Sequence, residues 1–345
     1  MDFDDRRRDF LKQSAYMGGG LLGFGSAGGV SNFLSRASLS LRAASEPKSR
    51  VVILQNDRVR GKNGEIDKDV LRHMLDVALG RLTGAGSARM AWGHFCTPKD
   101  VVGIKVNCLA GKGLSTHPEL VEGIVAGLTS AGIKEKNIII WDRLTEDLKR
   151  AGFQINMNGN GVRCYGTDAP GADYERQLTI IGSVGSRLSR ILTRQCTAMI
   201  NVPVLKDHSI AGVSVSLKNL FGAIDNPNKY HLDGCNPYVA DLCAAKAITD
   251  KSRLIICDAL TAQYEGGPPY MPQWAWPFNG ILVGTDPVAL DQVGYGILER
   301  KRREKGLLSL AEAGREPEYI ATAADAQHRL GRCDPRMIEE IHVQS

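Results

Sequence analysis

The sequence predicts an α/β fold, a mostly parallel sheet flanked by helices and arranged as two interlocked lobes. Three observations predict it. Apolar runs of strand length occur without polar alternation, as in residues 50–55 (RVVILQ), 101–107 (VVGIKVN) and 138–141 (IIIW), the pattern of strands buried on both faces. Stretches with helical spacing separate these runs, and strand–helix–strand order favours parallel pairing. No internal repeat or long linker follows residue 50, so residues 46–345 are expected to form the α/β part, long enough to bury a sizeable core.

Element by element, 50–55 is a strand and 66–82 a helix with apolar residues at three- and four-residue steps. Val101–Asn107 is a strand. Pro118–Ala131 is a helix carrying Leu120, Ile124, Val125 and Leu128 on one stripe, with Gly132 as its natural end. Ile138–Trp141 is a strand ending at Asp142. Residues 153–183, rich in Gly and Asn, read as a hairpin-like excursion or a small subdomain. Val184–Thr193 is expected as a helix, Thr197–Leu205 (TAMINVPVL) as one strand, Tyr238–Thr249 as a helix and Arg253–Asp258 as a strand. Gly280–Gly284 is a strand leading to Asp286, a helix cap, and to a helix over Pro287–Arg302 that ends basic, as the helix dipole favours. Glu318–Leu330 closes the helices, and a short strand lies near Ile338–Val343.

Residues 1–45 read as a signal peptide. Arg7-Arg8-Asp9-Phe10-Leu11-Lys12 matches the twin-arginine export signal, and no charge occurs between Lys12 and Arg36. Small-residue cleavage sites follow at Ser35-Arg36-Ala37 or Ala43-Ala44-Ser45. The expected compartment is therefore the periplasm, with the twin-arginine translocase as partner during export of a folded chain. So many glycines make a poor membrane span. The first cysteine is Cys96, so neither a lipid anchor nor any permanent membrane anchor is expected.

Composition narrows the chemistry. Net charge is +5, of which about +3 stays on 46–345, aromatics are 6%, and basic residues form no stripe interleaved with aromatics. Nucleic acid is not expected as a partner. None of the eight cysteines forms a Cys-x-x-Cys pair, which argues against thioredoxin chemistry, zinc ribbons and the usual iron–sulfur runs. Several, such as Cys108 and Cys257, sit in apolar runs and are expected as buried small hydrophobes. An oxidising destination allows one or two disulfides without specifying their pairing.

Three groups of polar residues stand at predicted strand ends. The densest is 202–222 (VPVLKDHSIAGVSVSLKNLFG), where Lys206, Asp207 and His208 emerge after a strand and Lys218-Asn219 follows a small-residue turn. Lysines in such a setting can hold an anionic ligand at the C-terminal edge of a sheet. The second is Lys105, Asn107, Lys112 and Thr116-His117-Pro118, with Thr116 as the expected helix cap. The third is carboxylates: Asp258 at a strand end and Glu265 in the Glu265-Gly266-Gly267-Pro268 turn, either of which suits acid–base work or a metal. His94-Phe95-Cys96 is an isolated pair of metal-ligand types and carries little weight.

In this order the segments VVGIKVNCL, STHPELVEGIVAGLTSAGIKEKNIIIWD, INVPVLKDHSIAGVSVSLKNLFG, DALTAQYEGGPP and LVGTDPVALDQVG resemble the bacterial and archaeal family called domain of unknown function 362, over about residues 95–300. The resemblance implies an α/β fold and frequent twin-arginine export. Some members carry a ferredoxin module, which the Cys spacing here does not provide. A weaker likeness is to the lactate racemase family, whose nickel-pincer cofactor is tethered to a lysine. That family's His-x-x-Ala-Gly-x-Ser stretch with a later Lys is similar to His208, Ala211-Gly212, Ser214 and Lys218, and His231 is the matching metal ligand.

Two functions follow as expectations. The first is an exported redox or isomerase enzyme that uses a metal or a lysine-tethered cofactor on a small anionic ligand. Lys206, His208 and Lys218 are its catalytic residues, Lys105, Asn107, His117, Asn219, Asp258 and Glu265 bind the ligand, and His231 binds the metal. The alternative is a non-catalytic periplasmic binding or accessory protein for an exported redox complex, with a redox partner docking on an apolar surface around Tyr264–Phe278. In the enzyme reading those aromatics form a lid hinged at Gly266-Gly267.

Overall fold

The computed structural model describes residues 47–344. The expected export signal and cleavage sites lie outside the described residues. In chain order, β1 (Ser49–Gln55), α1 (Lys68–Thr83), α2 (Ala88–Gly93), β2 (Val102–Lys105), α3 (Pro118–Ser130), β3 (Ile138–Trp141), α4 (Thr145–Arg150) and β4 (Arg163–Cys164) come first. A small hairpin, β5 (Thr179–Ile181) and β6 (Val184–Ser186), precedes β7 (Ala198–Asn201), β8 (Val204–His208), β9 (Gly212–Ser214) and α5 (Ser216–Asn219). The rest is α6 (Tyr238–Cys243), α7 (Lys246–Thr249), β10 (Ser252–Gln263), β11 (Ala275–Trp276), β12 (Gly280–Gly284), α8 (Pro287–Glu304), α9 (Tyr319–Ala324) and β13 (Ile338–Gln344).

Eleven strands make one sheet whose main path runs β13-β1-β12-β10-β7-β2-β3-β4, with β11 and β8 also on β10 and β9 on β8. Pairing is parallel through β7, β2, β3 and β4 and antiparallel around β12, so the sheet is mixed but mostly parallel. Period-two burial explains why its strands are apolar throughout. Val51, Ile53, Ile255, Cys257 and Leu282 join one core, and Val52, Leu54, Leu254, Ile256, Ile281 and Val283 join the other. α1 and α3 cover the second face, and α6, α8 and α9 the first. The chain from Pro47 onward is one unit. Two cores on opposite faces of one sheet take the place of the two lobes expected.

Local signals hold where they are strong. α3 occupies 118–130 with Gly132 at φ +98, and Asp286 accepts from the backbone N–H of Val288 and Ala289 at the start of α8. Four expectations change. The helix over 184–193 is instead β6, which folds back on β5, followed by one π-helical turn at Ile191–Gln195. TAMINVPVL is two strands, because Val202-Pro203 steps the chain from β7 onto the far half of β10, where Pro203 O accepts from Asp258 N at 2.8 Å. Residues 238–249 break into two short helices, and the helix expected over 318–330 spans only Tyr319–Ala324. All eight cysteines are unpaired and seven are buried, so no disulfide forms. Burial pushes the Cys96 and Cys164 thiols up to about 12, as inert packing residues.

Candidate functional site

The step from β7 to β8 opens a crevice at the C-terminal edge of the parallel strands, where α/β proteins bind ligands. β2, β3 and β7 end in register there, Lys105 opposite both Trp141 and Asn201. Lys206, Asp207 and His208 do not follow the strand; they form it. Alternation along β8 therefore turns Lys206 and His208 into a cavity of about 440 Å³ while Asp207 faces away from it. α5 adds Lys218 and Asn219, and the loop after residues 227–230 adds His231. Asp291 of α8 positions α5 by accepting from Ser216 N at 2.7 Å and Leu217 N at 3.2 Å.

An amide chain wires the wall. Asn201 Nδ2 donates to Ser216 O, Asn219 Nδ2 donates to Asn201 Oδ1 at 2.7 Å, and Asn219 Oδ1 accepts from Lys105 Nζ at 3.2 Å and Asn107 Nδ2 at 3.0 Å. Asn107 Oδ1 then accepts from Lys206 Nζ at 2.7 Å. Lys105 is fully provided for, with Val106 O at 2.7 Å and the Asp142 carboxylate at 2.8 Å. Gly222 lets that pair form: a Cβ there would lie 2.7 Å from Lys105 Nζ and 2.9 Å from Asp142 Oδ1.

Lys206 and Lys218 are different. They are 1% and 6% exposed, and neither forms an ion pair among the described residues. Burial pulls Lys206 down to about 8, assisted by the neighbouring Lys105 and Lys218 charges and resisted by Asp142. Burial does the same to Lys218, also to about 8. Lys218 Nζ sits 3.1 Å from His231 Nε2 and 3.8 Å from the centre of the Phe221 ring. Burial and then the Lys218, His231 and Lys206 charges push His208 down to about 2, so its ring is neutral. His208 Nδ1 accepts from Ile210 N and Ala211 N, each at 3.2 Å, which leaves the ring proton on Nε2. His231 stacks on His208 at 5.6 Å and is lowered by burial and Lys218; its Nδ1 faces Pro227 O at 3.0 Å, which puts its own lone pair on Nε2. The cavity thus offers cations and a neutral N–H donor; the Asp142 carboxylate in its wall is taken by Lys105 and Cys108 N, and neither Lys206 nor Lys218 has an ion pair of its own among the described residues.

A protein-family model described as a domain of unknown function (DUF362) matches residues 102–296, more than half of the chain. The chain belongs to the DUF362 family. No curated protein matches it. Among solved structures, a structural-genomics crystal structure of a Thermotoga maritima protein is similar at TM-score 0.42 and 12% identity, over 69% of this chain and 59% of that one. The DUF362 region contains every residue that lines the cavity, whereas Arg302 and Arg315 lie beyond it.

Those arginines account for Glu265. Arg302 and Arg315 both bind its carboxylate, Arg315 at 2.8 Å, and Arg315 also reaches Asp207 at 2.9 Å. Burial works against ionising Glu265, but the two guanidinium groups prevail and its pKa is lowered. Glu265 is therefore a structural partner behind the cavity rather than a ligand contact. The adjoining turn is pinned rather than hinged: Gly267 N donates to Asp207 Oδ2, Ser209 N donates to Gly267 O, and a Cβ on Gly267 would collide with Asp207 O. Trp274, Trp276 and Phe278 are half-buried and pack against the core, while Tyr270 is exposed.

His117 and Asp258 also lie outside the cavity lining. They pair with each other: Asp258 Oδ2 accepts from His117 N at 2.7 Å and contacts Nδ1 at 2.9 Å. Burial disfavours charging His117, yet the Asp258 carboxylate outweighs it and the pKa is raised. His117, not Thr116, holds the N-cap position of α3, without a side-chain cap bond, and Thr116 Oγ1 donates instead to Val202 O. Lys112 and His94 are exposed and Cys96 is buried, so the 94–96 pair assembles nothing. Sequence reasoning passed over Asn201, Phe221 and the Asp142 partner of Lys105. Asp142, at the end of the IIIW strand, carried the only visible signal.

A resident metal does not fit the donors of this DUF362 chain. Among the described residues no three His, Cys, Asp or Glu side chains converge. His231, expected as a metal ligand, is engaged at both ring nitrogens, and His208 Nδ1 is occupied by backbone. A lysine-tethered group would find Lys218 in the cavity wall but no companion set of metal donors.

Proposed function

We propose that this chain is a periplasmic enzyme that binds a small carboxylate- or phosphate-bearing molecule between Lys206 and Lys218 and catalyses proton transfer on it, an isomerase-type reaction. One observation carries the reading: two lysines more than nine-tenths buried, without ion pairs among the described residues, share a cavity with a neutral histidine that presents Nε2–H. Buried charge without a counter-charge is costly, and a bound anion removes that cost. Lys206, fixed by Asn107, neutralises the anion, while His208 Nε2–H donates to a second oxygen. Lys218, near pKa 8 and in contact with the His231 lone pair, exchanges a proton close to physiological pH. Export to the periplasm rests on the Arg7–Lys12 hexapeptide. The accessory reading would rest on exposed Tyr270 and the half-buried edges of Trp274, Trp276 and Phe278.

Calorimetric titration with inorganic phosphate and with pyruvate tests the reading. Saturable binding to one site is expected for at least one probe, weakened about tenfold or more in Lys206→Met, the equivalent of about 1.4 kcal/mol. Absence of saturable binding by either probe would count against the anion site itself.

A further inference from the structure

We propose that Lys218 is a nucleophile that forms an imine with the carbonyl carbon of a small 2-oxo acid whose carboxylate is held by Lys206. This rests on the anion-binding reading and names its substrate class.

The three cavity lysines have different surroundings, and the difference assigns their roles. Lys105 is surrounded by oxygen acceptors, two carbonyl-type and one carboxylate, which take up its N–H donors. Lys206 donates to the Asn107 amide oxygen, which holds it as a cationic anchor. Lys218 has no oxygen partner among the described residues; its polar neighbour is the His231 Nε2 lone pair, and its other side lies on the Phe221 ring. Because His231 Nδ1 is committed to Pro227 O, Nε2 is available to take a proton from Nζ. Burial at Lys218 adds to this, leaving about two orders of magnitude more free amine at neutral pH than an exposed lysine has. A lysine desolvated beside another cation is the usual setting of an amine nucleophile. The Phe221 ring face favours the iminium cation as well as the ammonium it replaces.

The step balances without an oxidant or reductant. The Lys218 Nζ lone pair attacks the carbonyl carbon and the C=O π pair moves to oxygen, where His208 Nε2–H donates a hydrogen bond. The proton that His231 Nε2 took from the Lys218 ammonium passes to that oxygen, and His231 then takes a second proton from Nζ, which leaves the carbinolamine. The nitrogen lone pair expels the hydroxyl, which takes that second proton from His231 and leaves as water. Overall, lysine ammonium and ketone become iminium and water. The iminium withdraws electrons from the neighbouring carbon and so acidifies its C–H, the bond a proton-transferring enzyme must break. A cavity of about 440 Å³ is at the small end of ligand sites, as a short 2-oxo acid requires.

The full chain is incubated with sodium pyruvate and sodium cyanoborohydride at neutral pH, digested and mapped by mass spectrometry. The expected result is one reduced adduct, on Lys218, at about two orders of magnitude higher yield than on exposed lysines such as Lys62, Lys112 or Lys246. Excess inorganic phosphate should suppress it. In Lys206→Met the adduct should remain on Lys218 but need about tenfold more pyruvate. Adducts spread over surface lysines, or placed on Lys206, overturn the proposal. Phosphate that binds calorimetrically in a protein giving no Lys218 adduct overturns the imine alone; loss of both removes the anion site as well.

Discussion

Replacing Lys206 with methionine should stabilise the ligand-free protein while weakening its anion binding. The side chain is 1% exposed, and among the described residues its one hydrogen bond goes to Asn107 Oδ1. Its displacement from 10.5 to about 8 measures how strongly the fold disfavours the ammonium. At about 1.4 kcal/mol per pH unit, holding Lys206 charged costs roughly 3 kcal/mol at neutral pH. Methionine fills similar space without charge, and leaving Asn107 Oδ1 without its donor returns roughly 1 kcal/mol. The net gain is about 2 kcal/mol, or a melting temperature higher by about 4 °C in a protein of this size. The sign with pH is specific. Below pH 8 both folded and unfolded lysines are protonated and the cost is constant. Between about 8 and 10.5 only the unfolded chain keeps the proton, so the wild type gains stability as pH rises and the advantage of Lys206→Met shrinks. Differential scanning fluorimetry across this range, with and without phosphate, reads both effects. A variant that melts several degrees below wild type at neutral pH would show the ammonium to be a structural group, and the reasoning toward an anion would fail.

Other outcomes follow from the same geometry. Anion affinity should fall as pH rises through about 8, because both Lys206 and Lys218 then lose their protons, and calorimetry with phosphate over that window would show it. Gly222→Ala should destabilise the fold by about 1–3 kcal/mol in denaturant titration, since the new Cβ displaces the Lys105–Asp142 pair. Replacing Arg7 and Arg8 together by lysine should keep the protein in the cytoplasm, as cell fractionation and immunoblotting would reveal.

What could be read from the chain was what local chemistry decides. The unbroken apolar runs, the α3 stripe and the Asp286 cap each express their structure within a few residues, and the fold class with its parallel strands came out correctly. The break inside TAMINVPVL has one local signal, Pro203 two residues after Asn201, which the apolar residues on both sides mask; pairing with β10, more than fifty residues away, places the two halves. That break decides the site. Once 204–208 is a strand, alternation separates Asp207 from Lys206 and His208, a sorting that a loop at these three positions would not show. Lys105, Asn107, Lys206, His208, Lys218, Asn219 and His231 do meet in one cavity. His117, Asp258 and Glu265 were grouped with them by residue type alone, and each is instead taken up by a partner distant in sequence: Asp258 for His117, Arg302 and Arg315 for Glu265. The His208-to-Lys218 likeness to lactate racemase marks the cavity wall, but the donors around it do not make a metal site.

The central claim is that Lys206 and Lys218 are buried cations awaiting an anion. Nitrogen-15 NMR of the lysine side chains measures this directly. The account predicts two resonances, assigned by Lys206→Met and Lys218→Met, that titrate near pH 8 in the free protein and move upward by about one unit or more when phosphate is added. Two lysines that titrate with the exposed ones near 10.5 and ignore phosphate would contradict it.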